Sequence, residues 1–97
     1  MIEHIVFFKF TPETTQAQKE EAITRLKGLK EQLPGILDIQ AGFNFSERSQ
    51  GYEVGLTVRF DSKGSLLNYG PSEEHQAVVR FLDDIGNTDK LVIDFEV

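Results

Sequence analysis

Apolar and polar residues alternate along four stretches of this chain and recur at helical spacing along three others. From Ile2 to Phe10 the run IEHIVFFKF sets His4, Val6, Phe8 and Phe10 on one face of a strand and Ile5 and Phe7 on the other, because successive strand side chains point to opposite sides. Both faces of this strand are apolar, so both demand burial. Thr11-Pro12 stops it, and Thr15 with Gln18 reads as a capping box opening a helix that runs to about Leu33. Ala22, Leu26, Leu29 and Leu33, with Ile23 alongside, form an apolar stripe against a face of Lys and Glu. Pro34-Gly35 ends the helix.

Ile36 to Ser46 alternates again, with Leu37, Ile39, Ala41, Phe43 and Phe45 opposed to Asp38, Gln40, Gly42, Asn44 and Ser46. After a polar turn at Arg48 to Gly51, Tyr52 to Phe60 sets Tyr52, Val54, Leu56, Val58 and Phe60 against Glu53, Gly55, Thr57 and Arg59, so these two strands read as an antiparallel hairpin. The next helical region is split. Asp61 and Ser62 cap a short helix bearing Leu66 and Tyr69, Gly70-Pro71 breaks it, and Ser72 caps a longer helix striped by His75, Val78, Leu82 and Ile85. Lys90 to Val97 is the last strand, with Leu91, Ile93, Phe95 and Val97 on one face.

The order strand, helix, strand, strand, helix, strand predicts an α+β, ferredoxin-like βαββαβ fold, a four-stranded antiparallel sheet with its helices on one face. One domain accounts for residues 1–97. The helices can cover the face of His4, Val6 and Phe8. Ile5 and Phe7, with Val92, then face water at about 1.5–3 kcal/mol for each large apolar side chain. A sheet-to-sheet homodimer removes that cost and is the expected assembly.

Composition narrows the partners. Apolar residues at 39% and eight phenylalanines suit a folded globular chain. A net charge of -6, with Lys and Arg scattered, repels nucleic acid and anionic membrane surfaces. There is no cysteine, hence no disulfide and no thiolate metal site, and no run of apolar residues approaches the roughly 20 that span a bilayer. The cytoplasm is the expected compartment. Two histidines without nearby clustered carboxylates are too few for a typical zinc site, and no glycine spacing matches a phosphate loop, so no metal or other cofactor is expected. Acidic pairs such as Glu20-Glu21, Glu73-Glu74 and Asp83-Asp84 read as solvated helix faces.

The candidate chemistry lies in three residues. His4 shares a strand face with apolar neighbours, where burial favours neutral imidazole. His75 sits three residues after the cap Ser72, in a first helical turn whose dipole also favours the neutral ring. With Tyr69 as a hydroxyl donor, these form an acid–base set if they share a pocket. In the alternative reading His4 is a core histidine with one hydrogen bond, Tyr69 a core aromatic and His75 a helix-start residue.

The opening HIVFFKF, the helix ending in LPG, the GFNFS strand, the GY that starts the third strand and the Tyr69 to His75 segment together resemble the stress-responsive A/B barrel (Dabb) family over nearly the whole chain. The resemblance implies a dimeric α+β barrel. The family includes plant polyketide cyclases, in which catalysis falls to a histidine early in the first strand, a histidine opening the last long helix and a tyrosine six residues before it. His4, His75 and Tyr69 match those places. The chain departs from the pattern at Leu26, where the cyclases carry another pocket tyrosine, and at Gly70-Pro71-Ser72-Glu73, which replaces a His-Pro pair.

These readings converge on a mostly apolar pocket between sheet and helices, lined by His4, Val6, Phe8, Leu26, Leu56, Val58, Leu66, Tyr69, His75 and Val78. The leading expectation is a protein that binds a small apolar molecule there. The alternatives are a cofactor-free enzyme transferring protons through His4, His75 and Tyr69, as in a cyclase or isomerase, and an interaction protein with no ligand.

Overall fold

A computed structural model describes residues 1–97. The elements follow in the order β1 (Ile2–Phe10), α1 (Gln16–Gln32), β2 (Ile36–Phe43), β3 (Val54–Phe60), α2 (Lys63–Tyr69), α3 (Glu73–Asp84) and β4 (Asn87–Glu96). The four strands form one sheet in the order β2-β3-β1-β4, every pair antiparallel. This is the ferredoxin-like α+β arrangement. Thr15 caps α1 through the reciprocal Thr15 and Gln18 bonds, and Ser62 and Ser72 cap α2 and α3, so the polar residue before each apolar stripe sets each helix start.

The core lies between the helices and one sheet face. Val6 and Phe8 of β1, and Val54, Leu56, Val58 and Phe60 of β3, meet Leu26 and Leu29 of α1 and Val78 and Leu82 of α3 in a single buried cluster. No helix of the chain is long and apolar enough to cross a membrane.

Five details differ from the periodicity. β2 ends at Phe43 instead of Ser46. Asn44 turns the chain out of the sheet: its side-chain amide donates to the Tyr52 carbonyl at 2.9 Å, and its side-chain oxygen accepts from the Ser46 amide at 2.9 Å, local bonds that compete with a strand ladder. Phe45 is therefore almost wholly exposed and β3 starts at Val54, two residues beyond Tyr52. A register shift between Ile36 and Asp38 brings both Ile36 and Ile39 into the core and turns Leu37 outward, where simple alternation put Leu37 and Ile39 on one face.

β4 starts at Asn87, ahead of the expected Lys90. Gly86 allows this early return. Its φ is 105°, and a Cβ there would stand 2.6 Å from Thr14 Oγ1 and 2.7 Å from Thr11 Oγ1, so glycine satisfies both the backbone and the close approach. The Asn87 amide then donates to the Lys9 carbonyl at 2.8 Å.

The last difference concerns faces. Val92 pairs with Val6, while Leu91 pairs with Phe7 and Ile93 with Ile5, and directly opposed residues of antiparallel strands share a face. Val92 therefore looks toward the helices and does not join Ile5 and Phe7. The outer apolar face consists instead of Ile5, Phe7, Leu91 and Ile93, with Phe95 opposite Glu3.

Candidate functional site

The site is built where β1, β4, α2 and α3 meet. On β1 the inward alternation presents His4, flanked by Val58 on β3 and Asp94 on β4. The His4 Nδ1 donates to the Asp94 carboxylate, leaving Nε2 as the ring nitrogen that Asp94 does not engage. The His4 side chain is 12% exposed and that of Asp94 is 42% exposed, so the histidine is sheltered while its partner reaches the edge of the sheet.

Tyr69 ends α2 and is buried. Its ring lies 5.1 Å from the Phe60 ring and 5.8 Å from the His4 ring, both edge-on, and 4.4 Å from the His75 ring. The tyrosine is thus held between the two imidazoles. The Gly70-Pro71 break makes this possible by turning the chain between α2 and α3. Ser72 Oγ donates to the Tyr69 carbonyl at 2.7 Å and accepts from the His75 amide at 3.3 Å, tying the end of one helix to the start of the next.

His75 Nδ1 donates to the Gly70 carbonyl at 2.9 Å. A carbonyl only accepts, so the neutral ring carries its proton on Nδ1 and offers a bare Nε2. Burial holds the His75 pKa below its ordinary 6.5, against the opposing pull of the Gly70 carbonyl and with help from the Lys90 and His4 charges. Burial likewise pushes the Tyr69 hydroxyl up to about 12. At neutral pH the site therefore holds an unprotonated base and a protonated phenol.

The lowered His75 value has a consequence for stability. The unfolded chain takes up a proton on this ring as pH falls through 6.5 and the folded chain does not, so the unfolded state binds more protons and the fold loses stability in that window. Denaturation midpoints should fall as pH drops below 6.5, and His75→Gln should flatten that part of the profile; an unchanged slope in the variant would remove His75 as its source.

These side chains border a cavity of about 170 Å³, comparable to the roughly 150 Å³ apolar cavity that accepts benzene. Of the residues expected at a pocket, His4, Val6, Phe8, Leu26, Leu56, Leu66, Tyr69, His75 and Val78 all line it. Val58 does not: it is wholly buried in the core beside His4 on the neighbouring strand. Gly70, Val79, Leu82, Lys90 and Val92 complete the wall. No group of three or more His, Cys, Asp or Glu side chains converges anywhere in the chain as a metal site would require.

Asp94 and the β4 wall were not visible as site residues in the sequence. His4 and Asp94 stand 90 residues apart, and only the β1–β4 register joins them. Leu82 was signalled by the α3 stripe, and Lys90 and Val92 would have followed from pairing β4 with β1.

A ferredoxin-like sheet roofed by helices over a His–Tyr–His cavity defines a small α+β cavity protein. The chain belongs to the stress responsive A/B barrel domain family, whose model matches residues 2–97. It is 29% identical to olivetolic acid cyclase of Cannabis sativa over 70 residues, 70% of this chain and 69% of that protein. Among solved structures it is similar to a dimeric ferredoxin-like protein of unknown function from Jannaschia sp. CCS1, with a TM-score of 0.82 at 29% identity over 99% of this chain and 98% of that one. The hydroxynitrile lyase of Passiflora edulis superposes with a TM-score of 0.87 at 18% identity over 99% and 92% of the two chains, a likeness of fold.

Proposed function

We propose that the chain binds a ring-sized apolar molecule in this cavity and moves a proton on it with its own side chains. The observation that carries this reading is the Tyr69 ring set between two imidazoles, each with Nδ1 engaged by a polar partner and Nε2 left over. A cavity that only binds apolar matter has no use for two tautomer-fixed histidines around a phenol. The relatives named as a cyclase and a lyase support a catalytic use of the site.

His75 Nε2 takes a proton from the carbon next to a substrate carbonyl, and the Tyr69 hydroxyl donates to the enolate oxygen as charge develops there. Returning the proton to another carbon gives an isomer. Attack of the enolate carbon on a second carbonyl of the same molecule closes a ring, and the proton then goes to the new alkoxide. Asp94 holds the His4 ring in one orientation as the second wall of the site.

Proton exchange tests this directly. Small cyclic and acyl carbonyl compounds, incubated with the protein in D₂O and followed by NMR, should include some whose α-hydrogens exchange faster than in buffer. No acceleration across such a panel would sink the catalytic reading. A compound that raises the melting temperature without exchanging would leave a binding role, which the apolar walls also favour.

The outer sheet face pairs with a second copy in this reading. Ile5 and Phe7 are half-buried and Leu91, Ile93 and Phe95 exposed on it, a contiguous apolar surface of the kind that marks an interface. The dimeric ferredoxin-like relatives support the pairing. Phe7→Asp should convert a dimer to a folded monomer in sedimentation at micromolar concentration; a stable monomer of the unaltered chain would refute the assembly.

A further inference from the structure

The cavity has an apolar body and one cationic end. Lys90 is the only side chain with a permanent charge in its wall, and no carboxylate lines it. Because Lys90 pairs with Phe8 across the β1–β4 ladder, it stands on the same face as His4 and Val92. Along β4 the inward positions run Lys90, Val92, Asp94: an ammonium, an apolar side chain, then a carboxylate occupied by His4. Lys90 takes part in none of the chain's ion pairs, in a molecule with 16 acidic residues. It is exposed, so the ammonium stands in contact with solvent at the rim.

We propose that Lys90 selects the substrate class, and that the ligand is a small apolar acid whose ring or short chain enters the cavity while its carboxylate pairs with the Lys90 ammonium at the mouth. This rests on the cavity being the ligand site as proposed above and adds to it the charge of the ligand. The volume sets the body: a space of about 170 Å³ takes one ring and little more. The charge sets the end: an anion at the rim meets a cation with no competing carboxylate in the wall, whereas a cationic group there meets repulsion. Lys90 and His75 line the same cavity, so the carboxylate and the body of such a ligand meet within one site.

Phenylacetate and phenylacetamide, alike in shape and different in charge, separate this from simple apolar binding. Each is titrated by NMR into the full chain, following the methyl signals of Val6, Leu56 and Val78. Phenylacetate should bind about fivefold more tightly than the amide, the scale of one partly exposed ion pair. The preference should vanish in Lys90→Met, reverse in Lys90→Glu, and shrink with added salt in the unaltered chain. Equal binding of acid and amide, or a preference that survives in Lys90→Met, would overturn the selection by Lys90 and leave the cavity reading intact. If neither compound shifts the cavity methyls in any variant, both fall together.

Discussion

Replacing His75 with alanine is expected to slow proton exchange on an accepted carbonyl compound by about 10²–10⁴-fold, the contribution of a positioned general base. The ring is half-buried and sits in the first turn of α3, whose cap is the Ser72 hydroxyl, so removing the imidazole leaves the helix start in place. The loss should therefore appear mainly in rate, with only a small fall in melting temperature from the lost Tyr69 contact and Gly70 hydrogen bond. His75→Gln fills more of the space without a titrating group and should be equally slow. Tyr69→Phe keeps the ring packed between the histidines, removes only the hydroxyl, and should cost about 10²–10³-fold, as for other donors to a developing oxyanion. The double variant should be little slower than His75→Ala alone, because groups acting as a unit are not additive. A His75→Ala protein that retains more than a tenth of the rate while folded normally would transfer the role of base to another group.

Phe60→Ala should be the most damaging single change to stability, about 3–5 kcal/mol, a large fraction of the roughly 5–15 kcal/mol that holds a domain together. Phe60 is completely inaccessible and is the largest of the fully buried side chains. Its ring also stands 6.1 Å from the His4 ring and 5.1 Å from that of Tyr69, so the void opens directly behind the site. Urea denaturation should show a lower midpoint with an unchanged slope. Phe60→Leu, which conserves more volume, should cost less than about 1.5 kcal/mol. A loss below 1 kcal/mol for the alanine variant would mean that the core closes over the gap.

Much of the fold was legible because several signals agreed at each element. Thr15 and Gln18 marked the α1 start, Pro34-Gly35 its end, and the Gly70-Pro71 break between α2 and α3 followed from residues that disfavour helix continuation. What periodicity could not give was register. Val92 and Leu91 are both apolar, and only the hydrogen-bonded pairing of β4 with β1 decides which of them faces the helices. The same ignorance hid Asp94 and Lys90, the two charged side chains that complete the site. Leu37 failed for a different reason: an irregularity of one residue inverts the faces beyond it, and nothing in ILDIQ announces it. His4, His75 and Tyr69 were legible as types in place, while their convergence on one cavity depended on the packing of α2 and α3 over β1.

β4 lies at the edge of the sheet and is solvent-exposed along almost its whole length, yet it supplies the carboxylate that holds His4 and the ammonium at the cavity mouth. Edge elements with few buried side chains open at a free energy well below that of global unfolding. Fraying of this strand in a lone chain would release His4 from Asp94 and open the cavity wall. In the proposed dimer a second copy covers Leu91, Ile93 and Phe95 of this strand, so assembly holds β4 in place, and amide exchange of residues 90–95 should slow as the chain dimerises.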